Sequence, residues 1–449
     1  MKTDQTIAIV LAAGEGKRMK SVTPKVLHPL AGRPMILSLV DVLSEISPEK
    51  VVLVLGPEMD HVAEIFNTHG CQAEVAIQHE RLGTAHAVLS AKKHLENVTG
   101  TVIILYGDTP FLTEKTIRSL LLARAEENNP AVVVLGFLSD NPEGYGRLMI
   151  DNEGNLLKIV ESLDSGDDNF KGSLCNSGVM AIDASILTNF LNQIGNSNAK
   201  SEYFLTDIVE IALKNGRKCA FVQGEEEELI GINSKSDLAR AETLFQNKLR
   251  KKAMEAGVIL QDPSSVYFSW DTKLGSDISI GPNVYFGSNV TVEDGVRILS
   301  FCHIEGATIS KGSIVGPFAR LRPGTEIGDH AQIGNFVEVK NSVIESGAKA
   351  NHLTYIGDAK IGAKSNIGAG AITCNFDGNK KSVTEIGNNV FVGSNTALVA
   401  PVKIGDGATI GAGSVITRNV DAYSLGISRV EQRVIPNWGL KKPNKQKDG

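Results

Sequence analysis

Large apolar residues recur at every sixth position through the last two fifths of the chain. The series starts at Phe268 and runs, with occasional five-residue steps, to Ile416, apart from an interruption at 374–385. An α-helix needs a period of 3.6 residues and an ordinary strand a period of two, so neither explains this spacing. A hexapeptide period is typical of a left-handed parallel β-helix, in which each hexad supplies one side of a triangular coil. We therefore predict such a β-helix over 256–449, with the apolar residues pointing inward.

Glycine is concentrated in the same region. Of the 45 Gly residues, 26 lie beyond residue 255, and many directly follow an inward position. We expect these glycines at the corners of the coil, where a Cβ or a restriction to negative φ is costly. The interrupted segment, 374–385, is expected to leave the coil as a loop.

The first part of the chain alternates short apolar segments with helical patterns. Segments rich in β-branched residues predict strands buried on both faces of a sheet; they are 6–12, 51–55, 101–106 and 131–137. Helical patterns between them include 35–44 and 113–127. This alternation predicts an open, mostly parallel α/β sheet, whose ligands bind beyond the carboxyl ends of the strands.

A helix is predicted between the two parts. Ser234 and Asp237 have the spacing of a capping pair, and Leu238, Ala241, Phe245 and Leu249 share one helical face. This helix either connects two domains or is the last helix of the first one. We predict domains at 1–233 and 256–449, joined by a linker helix at 234–255.

Composition narrows the class of partner. The chain has 45 Lys and Arg against 51 Asp and Glu, so a polyanion-binding surface is not favoured. No apolar stretch approaches the roughly 18 residues of a membrane span. The five cysteines are scattered and form no CxxC pair, which favours a reducing compartment. We expect a cytoplasmic protein that binds neither nucleic acid nor membranes.

Two features of the first part suit a phosphate site. A Gly-rich turn, 11–19, follows the first apolar segment, and Arg18 and Lys25 can neutralise a phosphate bound to its N–H groups. Asp108 follows the third segment, where a carboxylate can hold Mg²⁺ against a triphosphate. The turn lacks the third Gly of the dinucleotide fingerprint, and the chain has no P-loop. A tight turn with solvated charges and a turn-forming Asp remain open alternatives.

Together the motifs of the first part resemble those of the nucleotide-sugar pyrophosphorylases. The matching segments are LAAGEGKRM (11–19), PKVLH (24–28), LGT (82–84), YGD (106–108), GYGR (144–147), IVE (159–161), NSG (176–178), EYFLTD (202–207) and GIN (231–233). With the β-helix attached, nearly the whole chain resembles the bacterial bifunctional N-acetylglucosamine-1-phosphate uridyltransferase/glucosamine-1-phosphate acetyltransferase family. The resemblance implies a Rossmann-like nucleotidyltransferase followed by an acetyltransferase.

The resemblance also implies roles for residues of the first domain. Arg18 and Lys25 would face the phosphates, and Asp108 and Asn233 would carry Mg²⁺. The residues that would bind nucleotide or sugar are Leu11, Ala12, Ala13, Gly14, Lys25, Gln78, Gly83, Thr84, Tyr106, Gly107, Asp108, Gly146, Glu161, Asn176 and Asn233. Lys17 and Arg81 depart from the family pattern, and both add positive charge near the nucleotide.

In the β-helix, His352 matches the general base of the family, which would take a proton from the attacking amine. Considered alone, it is better explained as a structural corner residue, and the surrounding match favours the general base instead; a metal site shared with His303 and His330 is a weaker alternative. Glu338 would orient or polarise the site. The resemblance implies sugar-phosphate contacts for Arg322, Lys340, Tyr355 and Asn366. Acetyl-CoA would contact Ala369, Asn375, Phe376, Ser394, Ala412 and Arg429.

The implied function is a two-step synthesis of UDP-N-acetylglucosamine, a precursor of cell-wall polymers. Acetyl-CoA would acetylate glucosamine 1-phosphate, and UTP would then react with the N-acetylated product to release pyrophosphate. Family members are homotrimers, so a homotrimer is expected. Two alternatives stay open: a pyrophosphorylase for another sugar that uses the β-helix only as an oligomerisation rod, and a scaffold without turnover. The Lys-rich tail from Lys441 either contacts coenzyme phosphates or is a solubilising end.

Overall fold

The computed structural model describes residues 5–161, 172–198 and 201–441. The chain divides into two compact units between Phe245 and Gln246. The Lys-rich tail at 442–449 lies outside the described residues.

The first unit is an α/β domain. Its strands are β1 (Thr6–Leu11), β2 (Pro29–Leu30), β3 (Arg33–Pro34), β4 (Lys50–Leu55), β5 (Glu74–Ile77), β6 (Thr101–Tyr106), β7 (Val132–Ser139), β8 (Arg147–Ile150), β9 (Leu156–Val160), β10 (Ser173–Asp183) and β11 (Cys219–Gly224). Its helices are α1 (Leu37–Ile46), α2 (Asp60–Thr68), α3 (Thr84–Ser90), α4 (Glu114–Arg124), α5 (Ala184–Leu191) and α6 (Ile208–Lys214).

The main sheet has the order β11-β7-β10-β6-β1-β4-β5. The four strands predicted from apolar segments, β1, β4, β6 and β7, are confirmed and bury almost every residue. Neighbours are parallel except around β10, which runs antiparallel to both β6 and β7. Two apolar cores lie on opposite faces of this sheet, because successive side chains of each strand point to opposite sides.

The second unit is a parallel β-helix, and its described strands form three parallel sheets. Sheet I contains Ile259–Leu260, Ser279–Ile280, Arg297–Ile298, Ile314–Val315, Gln332–Asn335, Lys349–His352, Asn366–Ile367, Phe391–Val392, Thr409–Ile410 and Leu425–Gly426. Sheet II contains Lys273–Leu274, Thr291–Val292, Ala307–Ile309, Thr325–Ile327, Val343–Ile344, Ala359–Ile361, Thr384–Ile386 and Val402–Ile404. Sheet III contains Tyr285–Phe286, His303–Ile304, Arg320–Leu321, Glu338–Lys340, Tyr355–Gly357, Ile372–Cys374, Ala397–Val399 and Val415–Ile416.

The hexad positions form the core of this β-helix, as predicted. Every residue of the series from Phe268 to Ile416 is buried except Leu274, which is partly buried and packs against the same core. The predicted loop is also present, because the coil is interrupted between Cys374 and Thr384.

The glycines that follow inward positions serve close approach more than positive φ. A Cβ on Gly334 would lie 1.9 Å from the carbonyl oxygen of Asn351 in the next coil, and the φ of Gly334 is not in the left-handed region. Many left-handed corners are instead occupied by other residues, such as Asp277, Asn283 and Phe301. The expectation that these glycines relieve backbone strain is therefore only partly right.

Helix α7 (Lys235–Glu255) matches the predicted helix. The capping pair is confirmed, since Ser234 Oγ accepts from the Asp237 N–H at 3.2 Å and Asp237 Oδ2 accepts from the Ser234 N–H at 2.8 Å. Ala241 belongs to an apolar cluster of the first unit, and Leu249 packs against the β-helix core. The boundary between the two units thus falls within this helix.

Candidate functional sites

A cavity of about 270 Å³ opens at the carboxyl ends of β1, β5 and β6. This is the edge at which a parallel α/β sheet binds ligands. Ten of the predicted nucleotide residues line it: Leu11, Ala12, Ala13, Gly14, Lys25, Gln78, Gly83, Thr84, Tyr106 and Asp108. The cavity is also lined by Val26, Arg81, Ala87 and Glu202.

Close backbone packing shapes the walls of this cavity. Gly83 has a φ of +113°, and a Cβ there would lie 2.5 Å from the carbonyl oxygen of Tyr203. Gly16 has a φ of +63°, and a Cβ there would meet the Cβ of Lys25 at 2.8 Å. Around Gly14, by contrast, a Cβ would find no atom within 4 Å. The space at Gly14 is open to a ligand, whereas the other two glycines are required by the fold.

Lys25 and Asp108, which line the cavity, meet Asn233 beside it. The Lys25 ammonium donates to Asp108 Oδ2 and, at 3.2 Å, to Asn233 Oδ1. The side chains of Lys25 and Asp108 are only 13% and 16% exposed. A carboxylate oxygen and an amide oxygen therefore converge on one cation, and oxygen ligands of this kind suit Mg²⁺. The donor set fits the predicted metal.

The predicted sugar residues form a second group. The N–H of Asn176 donates to the Gly146 carbonyl at 2.8 Å, and Glu161 accepts a hydrogen bond from Thr206 at 2.9 Å. These three predicted residues do not line the cavity described above, and neither do Arg18, Gly107 and Asn233. Arg18 is exposed.

The two departures from the family pattern share one partner. Arg81 Nη1 lies 2.9 Å from Glu15 Oε1, and Lys17 Nζ lies 2.9 Å from Glu15 Oε2. Arg81 Nε also donates to the Ala13 carbonyl at 2.7 Å. The hydrogen bond and charge of Lys17 hold the pKa of the Glu15 carboxyl below its usual range. The added positive charge is thus paired with Glu15, and the hydrogen bond from Arg81 to the Ala13 carbonyl fixes the Gly-rich turn.

His352 lies at the corner where sheet I ends. Its Nδ1 is 2.8 Å from Oδ1 of Asn335, the residue it pairs with in the preceding coil. With the hydrogen assigned to Nδ1 as the donor to that oxygen, Nε2 is the basic nitrogen. The ring is exposed, so Nε2 is accessible to a substrate.

Three of the predicted acetyl-CoA residues follow His352 along the same corner, one in each successive coil. These positions are occupied by Ala369, Ser394 and Ala412. The carbonyls of Ala369 and Ser394 accept from the backbone N–H groups of Asn395 and Gly413. The carbonyl of Ala412 accepts from Arg429 Nη1 at 2.7 Å. Adjacent strands lie about 4.8 Å apart, so this row extends roughly 14 Å from His352.

The predicted sugar-phosphate residues are divided between two sheets. Arg322, Glu338, Lys340 and Tyr355 lie in or beside sheet III, with Arg322 Nη1 donating to Glu338 Oε1 at 2.9 Å. Asn366 lies in sheet I, paired with Lys349, and is not brought to this group. One protomer therefore does not assemble the whole predicted set.

The loop at 375–383 adds a residue that the sequence reasoning missed. Lys381 lies next to Lys340, and the proximity and charge of Lys340 lower the pKa of the Lys381 ammonium. Two adjacent ammonium groups favour an anion between them. The Asn379-Lys380-Lys381 run within the interruption was the available signal. The predicted coenzyme residues of the loop differ, since Asn375 is buried and Phe376 is 59% exposed.

Within the described ranges of one chain, no group of three or more His, Cys, Asp or Glu side chains is arranged to hold a metal ion, so one chain does not bring His303, His330 and His352 together. Nor does any helix in those ranges have the length and apolar character needed to cross a membrane.

Comparison with known proteins decides the family. Residues 8–147 match the MobA-like NTP transferase domain, and residues 306–341 and 384–418 match the bacterial transferase hexapeptide (six repeats). The chain is 52% identical over 438 residues to the bifunctional protein GlmU of Paramagnetospirillum magneticum, covering 98% of this chain and 96% of that protein. The chain belongs to the GlmU family.

Other GlmU proteins match as fully. Identity is 54% over 437 residues with GlmU of Rhodospirillum rubrum, covering 97% of each chain. Identity is 50% over 434 residues with GlmU of Zymomonas mobilis, covering 97% of this chain and 96% of that protein. The chain is a bifunctional transferase, with a nucleotidyltransferase domain followed by a left-handed β-helix acyltransferase domain. The monofunctional and scaffold alternatives are set aside.

Proposed function

We propose that the two units catalyse successive steps of UDP-N-acetylglucosamine synthesis. The β-helix, 256–449, acetylates glucosamine 1-phosphate with acetyl-CoA. The first domain, 1–233, then transfers uridylyl from UTP to N-acetylglucosamine 1-phosphate, and 234–255 is the linker helix. The observation that supports this proposal is that ten of the fifteen residues predicted to bind nucleotide or sugar line one cavity in the first unit, while His352 and three of the predicted acetyl-CoA residues form one row in the second.

Uridylyl transfer requires positioning more than proton transfer. The sugar-phosphate oxygen is already anionic, so it attacks the α-phosphorus directly while the bond to pyrophosphate breaks. Lys25 and Arg18 place positive charge against the developing charge on the phosphates. Gly14 leaves room beside the turn, and the cavity wall from Gln78 to Thr84 holds the nucleoside.

Asp108 and Asn233 hold Mg²⁺ in this proposal. Mg²⁺ supplies charge neutralisation for the triphosphate when it is bound. The contacts of Lys25 support this assignment, because its ammonium is held by the same two oxygens that would bind the metal. With Mg²⁺ held by these two oxygens, the Lys25 ammonium would face the phosphates, as the family resemblance implies.

Acetyl transfer requires a base, because the amine is largely protonated near neutral pH. Nε2 of His352 takes a proton from the amine, whose nitrogen attacks the thioester carbonyl. The carbon–sulfur bond then breaks, and the protonated His352 returns the proton to the sulfur, so that coenzyme A leaves as the thiol. Asn335 keeps the ring oriented through Nδ1. Arg322, Lys340 and Lys381 bind the phosphate of the sugar, and Glu338 orients Arg322.

We further propose a cytoplasmic homotrimer that acts on small molecules. Each of the five cysteines is a free thiol, which supports a reducing compartment. A row of stacked aromatic rings lies in the coils before the one that contains His352. It consists of Phe301, Phe318 and Phe336, with successive ring centroids 4.7 and 5.1 Å apart. These rings are 45–55% exposed, and a second copy of the chain would cover them. That copy would also supply an Asn366 to the sugar-phosphate residues of sheet III, because the Asn366 of the same protomer lies in sheet I.

The test separates the two reactions. His352→Ala should abolish release of coenzyme A from acetyl-CoA with glucosamine 1-phosphate and leave pyrophosphate release from UTP intact. Asp108→Ala should do the reverse, and Asp108→Asn, which preserves shape, should resemble it. Loss of both reactions in either folded variant would refute the two-site assignment. Absence of coenzyme A release in the unmodified protein would refute the acetyltransferase proposal.

A further inference from the structure

Asp358 is a buried carboxylate that neither proposed reaction uses. It occupies a corner between sheets III and II, directly after Tyr355–Gly357, and is 8% exposed. Its φ of +48° is in the left-handed region, which costs a residue with a side chain roughly 1 kcal/mol. A charged residue that is both buried and backbone-strained calls for an explanation in its contacts.

The carboxylate of Asp358 binds two amides. Asn341 Nδ2 donates to Oδ1 at 2.6 Å, and Asn375 Nδ2 donates to Oδ2. Asn375 is the first residue of the loop 375–383 and is itself 9% exposed. The backbone carbonyl of Asp358 also accepts from the N–H of Thr384, where the coil resumes, at 3.2 Å. Asp358 therefore holds both ends of the loop.

The same carboxylate lies near the two lysines of the phosphate site. Burial raises the pKa of Asp358, but hydrogen bonds from Asn341 and Asn375 and the charges of Lys381 and Lys340 lower it, and the net shift is downward. In turn, the charge of Asp358 raises the pKa of Lys381 against the larger opposing effect of Lys340. Asp358 thus offsets part of the repulsion between the two ammonium groups.

We propose that Asp358 is a positioning residue for acetyl transfer. Through Asn375 it fixes the start of the loop that presents Phe376, and its charge balances Lys340 and Lys381 until the sugar phosphate binds. This inference rests on the proposed acetyltransferase function.

The informative variant is Asp358→Asn, which keeps the shape but removes the charge and one hydrogen-bond acceptor. A charged hydrogen bond contributes roughly 1.5–3 kcal/mol, so kcat/KM for acetyl-CoA should fall about 10- to 100-fold. Binding of glucosamine 1-phosphate should not weaken. Its KM should be unchanged or a few-fold lower, because the two lysines lose their internal counter-charge. A purely structural defect would weaken both substrates together.

Asp277→Asn is the matched control. Asp277 also has a left-handed φ, of +57°, at a corner of the same β-helix, but it is exposed. Equal acetyl-transfer kinetics for Asp358→Asn and Asp277→Asn, in a chain whose unmodified form is active, would overturn the inference and leave the proposed function standing. No activity in the unmodified chain would instead overturn the function.

A double-mutant cycle tests the route through Asn375. If Asp358 acts by holding that amide, Asp358→Asn should add little further loss of kcat/KM for acetyl-CoA in an Asn375→Ala background. Full additivity of the two losses would refute this route. Thermal unfolding followed by circular dichroism shows whether each variant keeps the folded β-helix, and uridylyl transfer in the same samples provides the internal activity reference.

Discussion

Gly334→Ala adds one methyl group at the tightest point between two coils of the β-helix. The new Cβ would lie 1.9 Å from the carbonyl oxygen of Asn351, whereas real Cβ atoms stay at least 3.0 Å from such an atom. The Cβ would be 1.1 Å too close, and the atom that it meets belongs to the backbone, which cannot rotate away. The coils at 332–335 and 349–352 must therefore separate locally.

The magnitude follows from the hydrogen bonds that cross this gap. The Gln332 N–H donates to Ala348 at 2.9 Å and the Leu353 N–H donates to Asn335 at 3.0 Å. A separation of 1.1 Å lengthens both to about 4 Å, beyond hydrogen-bonding distance. Two lost bonds at about 1 kcal/mol each, together with residual overpacking, give about 3 kcal/mol. For a unit of about 200 residues this lowers Tm by roughly 6–12 °C.

The assay is thermal unfolding of the full chain, with acetyl transfer measured in parallel. Gly411→Ala is the control, because Gly411 follows an inward Ile in the same sheet but a Cβ there would first meet a side-chain atom, Ile427 Cγ1, at 3.1 Å. Acetyl transfer should also fall in Gly334→Ala, since Asn335 and its bond to His352 move with the strand. Equal Tm values for the two variants would refute the reasoning.

Three further predictions concern other parts of the molecule. Asp183→Asn should destabilise the first unit by about 2 kcal/mol at neutral pH, because Asp183 pairs with Arg124 at 3.0 Å. Burial raises the pKa of Asp183, but its hydrogen bonds and the nearby arginines lower it by more, so the folded pKa lies below the usual value. The stabilisation is therefore present above the unfolded pKa of about 3.9 and is lost as pH falls through the lower folded value. Unfolding curves of the unmodified protein and of Asp183→Asn should converge in acid. Asn335→Ala should lower kcat of acetyl transfer by up to about 100-fold with little change in KM, because the His352 ring loses its orientation; steady-state kinetics at several pH values measure this, and an unchanged kcat would contradict it. Phe318→Ser should shift the oligomer toward monomers in analytical ultracentrifugation, and a stable trimer would show that the Phe row is not the contact surface.

Much of the architecture was readable from the sequence because it depends on local patterns. The segments that became β1, β4, β6 and β7 are short, apolar and rich in β-branched residues, which is typical of strands buried on both faces. Strand β10 was not predicted. Its antiparallel insertion between β6 and β7 depends on pairing with distant strands, which no local pattern reports.

The candidate sites were predictable to different degrees. Residues such as Gly14 and Asp108 were located by motif and lie together because parallel strands end at one edge of a sheet. Lys381 was missed because its contact with Lys340 depends on how the loop folds back over the coil. The role proposed for Asp358 could not be predicted from the sequence either, because its two amide partners come from different coils.

The hexapeptide period by itself determined that the second half of the chain is a β-helix and which residues point into its core. A six-residue repeat has one way to bury its apolar positions, and that way needs only the spacing along the chain. The tertiary structure decided which outward side chains meet. His352 contacts Asn335 and Asp358 contacts Asn375 only because 17-residue coils stack one on another and the loop returns to its own base. Sequence periodicity determines the inside of such a rod, whereas the contacts between its coils determine the chemistry of its surface.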